Sequence, residues 1–64
     1  MTIYLIKQRL HYSIGEPSEW INLYAETSRA KANQAIAKHR KFDEENNIHQ
    51  KVDYSIEEIK VFDL

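Results

Sequence analysis

Lys7, Arg9 and His11 are spaced two apart at the end of "MTIYLIKQRLHY", and Trp20 and Tyr24 follow in "WINLYAE". Side chains at i, i+2 and i+4 of a strand share one face, so the three basic groups form a row. Aromatics interleaved with such a row suit two tasks. Bases can stack on them while cations hold phosphates, or they can anchor a protein interface with Arg at its margin. Asp43, Glu44, Glu45, Glu57, Glu58 and Asp63 are the acidic counterpart, a candidate negative surface for a basic partner. Glu57 and Glu58 are adjacent, so in a strand they point to opposite faces and form no acid–base dyad.

Other chemistry lacks its residues. His11, His39 and His49 have no metal-ligand spacing, and the chain has no cysteine. His39 lies on the apolar side of a helix with Asp43 four residues on, the setting of a neutral structural histidine. A single glycine cannot build a phosphate cradle. No cofactor is expected, and the pattern is not that of an enzyme.

At 64 residues the chain is one domain, close to the smallest that folds on a core alone. The net charge is −1, which gives no global field for nucleic acid or an acidic membrane. Charge is segregated nonetheless. Arg29, Lys31, Lys38, Arg40 and Lys41 fall together without an acid, and the last third is acidic. The apolar run Ile3 to Ile6 is too short for a signal peptide or a membrane span, so the expected location is cytoplasmic.

The elements that position these residues follow from periodicity. Alternation over Ile3 to Tyr12 predicts a strand, with Tyr4, Ile6, Leu10 and Tyr12 on one face and Ile3, Leu5, Lys7, Arg9 and His11 on the other. Gly15 and Pro17 mark a turn over 13–19. A second strand over 20–26 places Ile21, Leu23 and Ala25 opposite Trp20, Asn22 and Tyr24. Thr27 or Ser28 caps a helix over 29–42 that stops at Asn46–Asn47. Its inner face holds Ser28, Ala32, Ala35, Ile36, His39 and Phe42, and its cations straddle that stripe. "KVDYSIEEIKVFDL" is the third strand. Its apolar parity switches between Ile56 and Ile59, which predicts a bulge near Glu57–Glu58.

The expected fold is α+β, β-β-α-β, with a three-stranded antiparallel sheet in the order 2-1-3 and the helix on one face. No element remains to cover the other face. A chain of this size with "IYLIK", "YAETSRAKANQAIAK" and "YSIEEIKVF" in this order resembles small phage-encoded inhibitors, including anti-CRISPR proteins. The resemblance implies a non-catalytic protein that docks on a larger host protein or ribonucleoprotein complex and masks its nucleic-acid-binding or active surface. The alternatives are a homodimer or other homo-oligomer subunit, and a small nucleic-acid-binding domain using Lys7, Arg9, Trp20 and Tyr24.

Overall fold

The computed structural model describes residues 1–47 and 50–62. Four elements run β1 (Thr2–Leu10), β2 (Ile21–Glu26), α1 (Arg29–Glu45) and β3 (Val52–Lys60). The strands form one antiparallel sheet in the order β2-β1-β3, with β1 central, as the sequence pattern predicts. Among the described residues no helix is long and apolar enough to cross a membrane.

Local chemistry explains the boundaries. The Ser28 hydroxyl accepts from the Lys31 amide at 3.1 Å, so Ser28 rather than Thr27 is the N-cap. At the other end Asn47 takes a left-handed φ of 55°, which carries the chain out of the helix. Gly15 has φ 91°, a conformation costly for any side chain, in the connection between β1 and β2. That connection is pinned where Ser18 accepts from the Leu10 amide through its hydroxyl at 2.9 Å.

Ala32 and Ala35 let the helix axis approach the sheet closely, and Ile6 beneath them is fully buried. Tyr4, Leu23, Ile36 and Ile56 pack around this contact. Phe42, expected on the inner face, is 60% exposed instead, and one turn past the half-buried His39 it is Asp43 that is half-buried. The flank cations lie as the wheel predicts. Arg29 sits over the Tyr4 ring and Arg40 over the Tyr54 ring, at 5.3 and 4.9 Å. Lys31 and Lys38 border the opposite flank, beside Tyr24 and Glu26.

The bulge lies elsewhere than expected. Pairing of β1 with β3 is unbroken from Thr2↔Lys60 to Leu10↔Val52, so there is none at Glu57–Glu58. Ile56 faces the helix and Ile59 pairs with Ile3 on the open face, so the parity switch reflects apolar residues on both faces. The irregularity is in β2, where Ile6 pairs with Tyr24 and Lys7 with Asn22, leaving Leu23 as the extra residue. Leu23 and Tyr24 consequently both face the helix, and Ala25, paired with Leu5, moves to the open face.

The result is a thin molecule. Its Cα extents are 45 × 26 × 12 Å and its radius of gyration is 13.6 Å. A compact chain of this length has a radius of gyration of about 11 Å. Among the described residues it has two layers, the sheet and the helix.

Candidate protein-docking face

The open face is read off β1 and its two neighbours. Ile3, Leu5, Lys7, Arg9 and then His11 run down the middle. Ile59, Glu57, Ser55 and Asp53 stand opposite on β3, and Ala25 and Asn22 on β2. His11 continues the ladder one step beyond β1, its amide donating to the Lys51 carbonyl at 2.9 Å. This row divides into an apolar end, Ile3, Leu5, Ala25 and Ile59, and a polar end.

At the polar end the cations find partners within the sheet. Lys7 Nζ lies 2.7 Å from Glu57 Oε2. Arg9 Nη2 donates to Asp53 Oδ2 at 2.8 Å, and His11 Nε2 meets the same oxygen at 2.5 Å. These bonds, His11's first and Arg9's second, hold the Asp53 carboxyl at a pKa of about 2, against the usual 3.8. The Arg9 guanidinium also lies 4.6 Å from the centroid of Trp20, an attraction to the ring's π face. Arg9 Nε is buried with no hydrogen-bond partner among the described residues. Trp20, just before β2, reaches across to border a hollow of about 330 Å³ with Lys7, Ser55, Ile56 and Glu57.

Lys7, Arg9, His11 and Trp20 therefore come together on one face, and Tyr24 does not. The bulge at Leu23 turns Tyr24 to the helix side, where its hydroxyl lies 3.5 Å from His39 Nε2. His39 is held between Tyr24 and Tyr54, with ring centroids 6.1 and 5.9 Å away. Burial pushes the Tyr54 phenol above its ordinary pKa, and nearby Asp43 adds to the effect.

The acidic residues are dispersed. Glu57 serves Lys7 on the open face, whereas Glu58 lies on the helix side, 3.5 Å from Arg29. Asp43, Glu44 and Glu45 occupy the last turns of α1, with Glu45 3.9 Å from Lys41. Asp63 and His49 lie outside the described residues. A cleft of about 620 Å³ beside β3 is lined by both signs, among them Arg40, Asp43, Lys51 and Asp53. Among the described residues no three His, Asp or Glu side chains converge to hold a metal ion.

Sequence reasoning missed Asp53, the residue that ties Arg9 and His11 together. A signal existed: Asp53, Ser55 and Glu57 share the parity of a strand bound to lie beside the Lys7–Arg9–His11 row. Set against models of protein families, curated proteins and solved structures, the chain matches none.

Proposed function

We propose that this protein is a non-catalytic protein-binding module and that its uncovered sheet face, centred on Leu5 and edged by Trp20 and Arg9, is the docking surface. One observation carries the reading: the face joins an apolar patch to charges already neutralised in place. Lys7 is matched by Glu57 and Arg9 by Asp53. A surface that gains affinity from phosphates needs unpaired cations, because releasing their counterions is the main source of binding free energy. An interface core instead needs apolar area, a large aromatic and few unpaired charges. The face fits the second description.

The resemblance to small phage-encoded inhibitors supplies the finer form of the proposal. In it the module occupies a surface on a larger protein or ribonucleoprotein complex in a bacterial cytoplasm and blocks access to it. Binding then depends on Trp20 and on the Ile3–Leu5–Ile59 patch, and the helix cations remain solvated scaffold.

The test uses the intact chain as bait in a bacterial lysate, with and without nuclease, beside Trp20→Ala. A protein retained after nuclease and lost with Trp20→Ala supports the proposal. Recovery of nucleic acid alone, unaffected by Trp20→Ala, overturns it.

A further inference from the structure

We infer that the occupant of the open face in the isolated protein is a second copy of this chain. The two sheets pack face to face about a two-fold axis lying between them over Leu5. This names the occupant of that face when no larger protein is bound, and it rests on the face being a protein interface.

The first ground is the core. Among the described residues only Ile6, Ala32 and Ala35 are buried, with Ile6 the one large side chain fully withdrawn from water. A single small core leaves a chain of this length a thin margin, and oligomerisation is one of the ways such chains add to it. This chain has no cysteine. Whatever completes the core must be present whenever the chain folds. A second copy is the one partner whose supply is guaranteed by synthesis of the first.

The second ground is area. A folded monomer of 7.6 kDa exposes about 4,300 Å², and this chain exposes 5117 Å². The excess over the whole chain, about 800 Å², is of the size that one partner contributes to a standard stable interface. The face is also large enough in outline. Two strands of nine residues and one of six, at ~4.8 Å between strands and ~3.3 Å per residue, fit within roughly 14 by 30 Å before the pleat and side chains add area. Two such faces stacked at ~10 Å give the spacing of a β-sandwich, with the apolar end at its core.

The third ground is charge. A two-fold interface sets each patch against itself, so a patch with net charge repels its copy. Here Lys7 and Arg9 are offset by Glu57 and Asp53 within the same face. Apolar Ile3, Leu5 and Ile59 can meet their own copies around the axis. Lys31, Lys38 and Lys41 stay outside on the helix, where they oppose stacking through the other side. The edges are poorer candidates. The β2 edge is six residues long and bulged, and the β3 edge carries Glu57 and Glu58.

The experiment is sedimentation of the full chain over a dilution series, with circular dichroism, for the wild type, Leu5→Lys and Trp20→Ala. In parallel, Leu5→Cys and Ala37→Cys are treated with a short bis-maleimide, a clean readout because the native chain has no thiol. We expect a dimer whose dissociation constant rises about tenfold or more in Leu5→Lys or Trp20→Ala. Crosslinking should join Leu5→Cys chains and leave Ala37→Cys, on the exposed side of the helix, as monomers. Should Leu5→Lys fail to fold, Trp20→Ala and the Leu5→Cys crosslink decide the matter. A folded monomer at every concentration overturns the inference. The docking face would then stand or fall on whether Trp20→Ala loses its captured protein. A dimer crosslinked through Ala37→Cys and not Leu5→Cys also overturns it, since the copies would then meet through their helices.

Discussion

Ile6→Val removes one methyl group from the point where helix and sheet are closest. Ile6 is 0% exposed, central in the sheet, paired with both Tyr24 and Ile56, and covered by Ala32 and Ala35. Loss of a buried methyl at such a site costs ~0.5–1.5 kcal/mol, because lost transfer energy adds to a small cavity. The margin of a domain this size is roughly 3–10 kcal/mol, so the variant should remain folded. With ~4–8 °C of midpoint per kcal/mol, thermal unfolding followed by circular dichroism should fall by roughly 2–12 °C. Ile14→Ala is the control: Ile14 is 90% exposed, and a surface change of this kind stays within about 0.5 kcal/mol. Chain concentration must be fixed, since self-association raises the apparent midpoint by mass action. Equal midpoints for Ile6→Val and Ile14→Ala would refute the placement of the core.

Three other outcomes are expected. Ser28→Ala should cost ~1 kcal/mol, seen as a lower unfolding midpoint, because the Lys31 amide loses its acceptor. Lys31→Ala combined with Lys38→Ala should leave the midpoint nearly unchanged and neither create nor abolish oligonucleotide binding, measured by anisotropy across a salt series. Acid titration should show Asp53 at work. Its folded pKa of about 2 lies below the usual 3.8, so its contribution is complete above that value and is lost as pH falls towards 2. Asp53→Asn should flatten that part of the stability–pH curve.

The strand order and the helix were legible, and its cap was narrowed to Thr27 or Ser28, because each rests on a local rule that nothing nearby contradicts. Register was not. Hydrophobic alternation fixes it only when one face is apolar, and here Ile3, Leu5 and Ile59 line the open face while Ile6 and Ile56 line the other. The pattern therefore suggested a slip in β3 that does not exist and hid the real one at Leu23. That single extra residue decides that Tyr24 belongs with His39 and not with Trp20. The placement of Trp20 on the face of Lys7, Arg9 and His11 was legible, but its particular partner, Arg9, was not, since that depends on register. Asp53 escaped notice because its role depends on pairing across two strands 44 residues apart.

Trp20 is the chain's one tryptophan and stands on the open face, 42% exposed and stacked on Arg9. Its fluorescence quenching by acrylamide therefore reports on that face alone. The direct measurement is the quenching constant over a dilution series of the chain, and again with a protein captured from lysate added in excess. We expect strong protection of Trp20 when the face is occupied and release of that protection on dilution. A quenching constant unchanged by dilution and by every bound protein would contradict the docking face.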